Sequence, residues 1–197
     1  MIWRYSIYSH LAYFIELGQM TNFDIKLQEK IGFTPFEAQK KIIESFTVNR
    51  DIRLAAGRRF GKSALCAYLA LREFMQNGKH IWIVAPSYEL SEKVFNYIVK
   101  WMVMSFPKMQ RCITTRIPAS IVAPYTPEEP WGSWIKCKSA DNPASLLGEE
   151  LDLIIVDEVS RVKKEVWDGY LYPCLSSRQG KSVMISTPFG KNWFYHD

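Results

Sequence analysis

The run Leu54-Ala55-Ala56-Gly57-Arg58-Arg59-Phe60-Gly61-Lys62-Ser63 joins the end of an apolar strand to the start of a helix through a glycine-bearing turn. Such a turn suits a polyphosphate: its backbone N–H groups can wrap phosphate oxygens, and the following helix presents its positive end to them. Lys62 would reach the terminal phosphates and the Ser63 hydroxyl would bind Mg²⁺. The usual pattern opens with a glycine where this chain has Ala56, so Gly57, Gly61, Lys62 and Ser63 carry the match.

A second motif completes the first. Leu151-Asp152-Leu153-Ile154-Ile155-Val156-Asp157-Glu158 is an apolar run ending in two carboxylates. A run apolar on both faces suits a central strand of a parallel sheet covered by helices. Open parallel sheets bind ligands at the carboxyl ends of their strands, where Asp157 and Glu158 would lie. Asp157 can hold Mg²⁺, directly or through water, beside Ser63. Glu158 is then placed to orient and deprotonate an attacking water. An isolated Asp-Glu is commonly a solvated turn, but following Gly61-Lys62-Ser63 in this chain order it reads as the second half of a P-loop nucleoside triphosphate site.

The elements between them alternate. A helix is expected from Thr34-Pro35 to about Phe46, with Thr34 as cap and Pro35 in the first turn. A strand over Ile52–Ala56, a helix from Lys62 to about Met75 ended by Asn77-Gly78, and a strand over His80–Ala85 follow. Glu89 to about Met104 reads as a long helix closed by Phe106-Pro107. Residues 111–139 are β-rich, with segments at Cys112–Ile117, Ser120–Val122 and Ser133–Lys138. A helix over Lys164–Tyr172 and a strand over Ser182–Thr187 complete the set. Alternation of this kind implies right-handed crossovers and an α/β fold with a mostly parallel central sheet flanked by helices. The long stretch between Lys62 and Asp157 leaves room for an extra strand between the phosphate motifs. That is the additional-strand, catalytic-Glu class of P-loop ATPase, and no guanine-reading Asn-Lys-x-Asp is present.

The 197 residues, 48% of them hydrophobic, suffice for one well-filled domain. Residues 1–30 read as an accessory segment of one or two amphipathic helices, and 31–197 as the ATPase domain. The net charge of +5 is a modest excess that allows an anionic partner without requiring one. Cys66, Cys112, Cys137 and Cys174 are too widely spaced for a zinc site or a disulfide framework. No apolar run approaches the ~20 residues of a membrane span. Arg4, His10 and Glu16 interrupt the aromatic N-terminus, so a signal-peptide core is lacking.

Together, Gly57-Arg58-Arg59-Phe60-Gly61-Lys62-Ser63, Ser139-Ala140-Asp141-Asn142-Pro143, Leu147-Gly148, Val156-Asp157-Glu158 and Ser186-Thr187-Pro188-Phe189-Gly190 resemble the large terminase subunit of tailed bacteriophages. The resemblance covers roughly residues 33–195. It implies an ATP-driven, Mg²⁺-dependent motor that packages double-stranded DNA into a preformed capsid. Such a motor works as a homo-oligomeric ring on the portal protein, assisted by a small terminase subunit, in the cytoplasm of the infected host and outside the mature virion. By the same resemblance Lys62 and Ser63 match the Walker A positions, Asp157 the Walker B metal carboxylate and Glu158 the catalytic carboxylate. Arg58 matches the family's loop arginine, whose guanidinium could bond γ-phosphate oxygens bidentately. Arg59 flanks it, Gln39 sits like the adenine-recognising glutamine with Phe33 or Phe36 to cover the ring, and Ser186-Thr187-Pro188 resembles the coupling motif, whose hydroxyls could sense the γ-phosphate.

Two departures stand out. Leu147 occupies a position where the family commonly has an arginine that would act across subunits; Arg116, Arg161 and Arg178 are alternatives. Full-length relatives continue into a nuclease domain, and no acidic set with that context occurs here, so no DNA cleavage is expected. Lys100, Lys108, Arg111 and Arg116, with Arg161, Lys163 and Lys164, are the basic clusters that could meet phosphate backbone, and Ala123–Trp134 could be a loop touching DNA or portal. A helicase-like translocase shares several of these motifs but needs a second ATPase-like lobe. A nucleotide-binding assembly module without turnover is the non-enzymatic alternative.

Overall fold

In the computed structural model the described residues are 20–76, 78–123 and 132–196. The expectations for Met1–Leu17, for Asn77 and for the centre of Ala123–Trp134 therefore lie outside them. Among the described residues seven strands form one sheet: β1 (Asp51–Ala55), β2 (His80–Ala85), β3 (Ile113–Thr114), β4 (Ser120–Val122), β5 (Trp134–Ser139), β6 (Leu153–Asp157) and β7 (Lys181–Ser186). Their order is β1-β7-β6-β2-β5-β4-β3. Every pair from β1 to β5 is parallel, and β4 and β3 extend the sheet antiparallel. The strand separating the phosphate-loop strand from the carboxylate strand is β7, the last in the chain.

Alternation along the strands builds two cores. Ile81, Ile83, Leu153, Ile155, Val183 and Ile185 face one side, packed with α3 (Lys62–Phe74) and α4 (Tyr88–Ser105). Trp82, Val84, Ile154, Val156 and Met184 face the other, against Trp167, Leu171 and Leu175. This is why β2 and β6 read as unbroken apolar runs. On α3, all ten residues from Leu65 to Phe74 are buried, so the helix that follows the Ala56–Gly61 turn is locked into the domain along most of its length. The first helix among the described residues, α1 (Asn22–Ile31), is capped by Thr21, whose Oγ1 accepts from the Asp24 N–H at 3.2 Å while Asp24 Oδ2 accepts from the Thr21 N–H at 3.1 Å. All four cysteines are free thiols. No helix among the described residues is long and apolar enough to cross a membrane.

Three local expectations need correction. Thr34 does not cap a helix: α2 (Glu37–Val48) begins later, because Gln39 reaches back and its Oε1 accepts the Phe36 N–H at 3.3 Å. The expected strand Cys112–Ile117 shrinks to β3, since Pro107 starts a 3₁₀ turn that runs through Cys112. The expected helix over Lys164–Tyr172 is α only in α5 (Lys164–Val166). It widens into a π turn over Trp167–Leu171, which buries both end residues, and tightens into a 3₁₀ turn over Tyr172–Leu175 at Pro173. The chain ends its described part in α6 (Trp193–His196).

Candidate nucleotide site

At Ala56 the turn after β1 departs from the usual glycine pattern without strain. The Ala56 N–H donates to the Ser186 carbonyl at 3.0 Å, extending the β1–β7 ladder, and Ala56 has no positive φ to require glycine. The left-handed positions are Arg59, at φ 69°, and Gly61, at φ 78°. Gly61 caps α3, and a Cβ there would lie 2.8 Å from the Gln39 amide nitrogen. That glycine is required twice, by its backbone and by its neighbour. Gln39 is buried, and its Nε2 donates to the Phe60 carbonyl at 3.0 Å while its Oε1 holds Phe36. It therefore ties α2 to the turn that precedes α3. Phe33 stacks on Tyr68 and packs on Trp101, so only Phe36, which is exposed and meets Phe60 edge-on at 5.2 Å, is free to cover a base.

Lys62 joins the turn to the strand between the two motifs. Its Nζ donates to the carbonyls of Ala56 at 3.0 Å and Gly57 at 3.1 Å, and to Thr187 Oγ1 at 2.9 Å. At the end of β6, Asp157 is buried and the Ser63 hydroxyl faces it. Burial, and then the neighbouring Glu158 charge, push the Asp157 carboxyl up to about 6, against the Glu158 N–H, Lys62 and Ser63, which favour its ionised form. A hydroxyl beside a buried carboxylate is a hard oxygen donor set that fits Mg²⁺. No three His, Cys, Asp or Glu converge among the described residues, so such an ion would complete its shell with phosphate oxygens and water.

The raised Asp157 value has a stability consequence. The folded state holds a proton that the unfolded chain would release, so stability is highest below the ordinary value of 3.8 and falls as pH rises to about 6. Above that, the buried charge costs roughly 2–3 kcal/mol. Asp157→Asn keeps an acceptor for the Glu158 N–H and removes the charge. In EDTA its unfolding temperature should exceed that of the parent chain at pH 7.5, with the gap closing as pH falls below 5. Thermal unfolding across pH 4–8 measures this, and a gap independent of pH would refute it.

Glu158 turns away from β6 with φ 53°, a left-handed conformation uncommon outside glycine. Its Oε2 accepts from Ser186 Oγ at 3.2 Å. Arg58, Glu158, Arg161, Thr187, Pro188 and Phe189 line a concavity of about 230 Å³ at the carboxyl ends of the strands. Arg161 lies over the Phe189 ring at 5.6 Å, in the same concavity as this chain's own Arg58. Arg178 is at the far end of the sheet, where it donates to Asp152 Oδ2 at 2.8 Å and to the Gly78 carbonyl at 2.7 Å. Arg116 is exposed, remote in the chain from both motifs. Arg161 and Lys163 are exposed, while Lys164 pairs with Asp168 at 3.6 Å and lies over the Trp193 ring at 5.4 Å. Lys100, Lys108 and Arg111 are exposed. Ser160, whose Oγ is 2.6 Å from Ser186 Oγ, is a site neighbour that the sequence does not single out; its only signal there is proximity to the Asp-Glu pair.

Comparison with known proteins identifies the family. The family described as the terminase large subunit, T4likevirus-type, N-terminal, matches residues 54–197. The large terminase subunit of Thermus virus P23-45 is 34% identical over 181 residues, which is 86% of this chain and 37% of that protein. The large subunit of Escherichia phage T5 is 30% identical over 168 residues, 83% of this chain and 36% of that protein. The solved large terminase ATPase domain of Thermus phage P74-26 superposes with a TM-score of 0.71 at 28% identity, covering 87% of this chain and 72% of that domain. The large terminase of bacteriophage HK97 shares the fold at a TM-score of 0.54 and 18% identity, covering 86% of this chain and 33% of that one. The chain thus spans little more than a third of the length of its curated relatives. With the P-loop elements in their places and a family match over most of its residues, the chain belongs to the terminase large subunit family of bacteriophages, in its N-terminal part.

Proposed function

We propose that this domain hydrolyses ATP and is the motor part of a terminase that drives double-stranded DNA into a procapsid. The observation that carries the reading is the convergence of Lys62, Asp157, Glu158 and Thr187 at the adjacent ends of β1, β6 and β7, with Ser63 facing Asp157. The likeness to a protein named as a large terminase ATPase domain supports it. In this reading Lys62 leaves its carbonyl partners for the β- and γ-phosphates, and the turn amides from Gly57 to Lys62 wrap them. A Cβ at Gly57 would meet nothing within 4 Å, so the fold leaves there the space that a close phosphate needs. Ser63 and Asp157 would hold Mg²⁺, which when bound neutralises charge on the phosphate oxygens. Glu158 takes a proton from water as the water oxygen bonds to the γ-phosphorus and the bridging oxygen leaves with ADP. Arg58 donates to γ-phosphate oxygens, with Arg59 beside it. Gln39 keeps one N–H and one lone pair for adenine, and Phe36 covers the ring.

The motor reading brings partners with it: duplex DNA gripped through its backbone, the portal protein, a small terminase subunit and neighbouring copies in a ring, with the isolated domain monomeric. Its setting is the host cytoplasm, and the accessory segment 1–30 and the ATPase domain 31–197 are its parts. DNA cleavage is not expected of this domain. Arg161, lining the concavity beside Arg58, favours turnover over a purely structural nucleotide-binding role. The test is Mg²⁺-dependent phosphate release from ATP, measured over a range of protein concentrations. Turnover should rise faster than linearly with concentration, and Lys62→Ala should lower both nucleotide affinity and rate by at least about tenfold. ATP binding without release at any concentration would exclude the motor, and strand separation would favour a helicase.

A further inference from the structure

The Glu158 carboxylate is backed by two hydroxyls. Its left-handed φ turns the chain from β6 into a 3₁₀ turn over Val159–Arg161, which brings Ser160 back toward the end of β7. There Ser186 is fully buried, its Oγ lying 3.2 Å from Glu158 Oε2, 2.6 Å from Ser160 Oγ and 3.0 Å from the Thr187 carbonyl. A serine has one proton to give and two lone pairs. A carboxylate only accepts, and a charged acceptor takes the proton in preference to a neutral carbonyl. With the Ser186 O–H directed at Glu158, the 2.6 Å contact requires Ser160 to donate to Ser186. The order is therefore Ser160 to Ser186 to Glu158. Ser160 is itself held, since its carbonyl accepts from Asn192 Nδ2 at 3.0 Å.

We propose that Ser186, backed by Ser160, is a positioning residue that fixes the orientation of the Glu158 carboxylate for water activation. The proposal rests on Glu158 being the base. A glutamate side chain free at the rim of an open concavity would sample several rotamers, and holding one end by a buried hydroxyl removes that freedom before substrate arrives. The division of labour at the end of β7 differs from a pair of γ-phosphate sensors: Thr187, just past the strand, faces Lys62, and Ser186 faces the base.

The test is steady-state ATP hydrolysis with Mg²⁺ by Ser186→Ala, Ser160→Ala and Ser160→Thr, with Ser186→Ala also built into Glu158→Gln. Ser186→Ala should lower kcat by about 10–100-fold, with KM changed by less than about twofold. Ser160→Ala should show the same split with a smaller loss, and Ser160→Thr should recover most of it. Because Ser160 is only half-buried, its variants keep the test open if Ser186→Ala does not fold. In the Glu158→Gln background, Ser186→Ala should cause no further loss. Unchanged kcat in the serine variants alongside an inactive Glu158→Gln would overturn the tether alone, as would an equal fold-loss in both backgrounds. Parent-like turnover by Glu158→Gln would overturn the base, and the tether with it.

Discussion

Replacing Glu158 by Gln is expected to lower phosphate release by about 10²–10⁴-fold while nucleotide stays bound. Glutamine has nearly the same shape and keeps a carbonyl oxygen where Ser186 Oγ donates, at 3.2 Å in the parent chain, so the carboxamide should remain oriented over the concavity. What disappears is the ability to take a proton from water. Nucleotide affinity should not fall. After burial, the Glu158 charge is the next cause of the raised Asp157 value, so removing it makes Asp157 easier to ionise as an Mg²⁺ ligand. A titration with a fluorescent ATP analogue and an assay of phosphate release distinguish the two effects. Retained binding with lost turnover supports the base, whereas loss of binding would make Glu158 part of the nucleotide cradle instead.

The residues proposed to carry chemistry are legible where contiguous residues place them. Gly61-Lys62-Ser63 needs only its own turn and helix start, and Asp157 needs only an apolar strand before it. The strand His80–Ala85 is legible to the residue, because an apolar run is bounded by Gly78 and Pro86. The contacts that orient these groups depend on the packing of distant segments. The insertion of β7 between β1 and β6 sets Thr187 against Lys62 and Ser186 against Glu158, and the strand order is not written in either segment. Neither is the left-handed turn at Glu158, which any glutamate after a strand could lack. Gln39 carries the same residue type that an adenine contact needs, yet its position 2.8 Å from a Cβ at Gly61 makes it a brace for the turn as well. Arg178 is read from sequence as an available cation, and only the fold commits it to Asp152.

The largest stability effect is expected away from the site, at Arg72 near the end of α3. Asp24 on α1 is fully buried, and its Oδ1 accepts from Arg72 Nε and from Tyr68 Oη, each at 2.7 Å. Thr21 supplies two further donors to Oδ2, and Arg72 also donates to Glu73 Oε1 at 2.8 Å. Burial alone would push the Asp24 carboxyl up; the Arg72 hydrogen bond and charge, with the Thr21 and Tyr68 hydroxyls, overcome it and hold the group below its ordinary range. Arg72→Ala would leave that carboxylate buried without its cation, a loss of about 3–5 kcal/mol. For a domain of this size the unfolding temperature should fall by on the order of 10 °C. The pH response separates this mechanism from simple loss of packing. In the parent chain the Asp24 contribution is present above the ordinary carboxylate value and fades as pH falls through its depressed value. In Arg72→Ala burial dominates, the folded-state value rises above the unfolded one, and the contribution changes sign: the variant should recover stability as pH drops from 7 toward 5. Asp24→Asn in the Arg72→Ala background removes the stranded charge, so the double variant should be more stable than Arg72→Ala at pH 7 and insensitive to that acidification. A single variant that unfolds at the same temperature from pH 5 to 7 would mean that the lost side-chain packing, and not the uncompensated Asp24, sets the cost of removing Arg72.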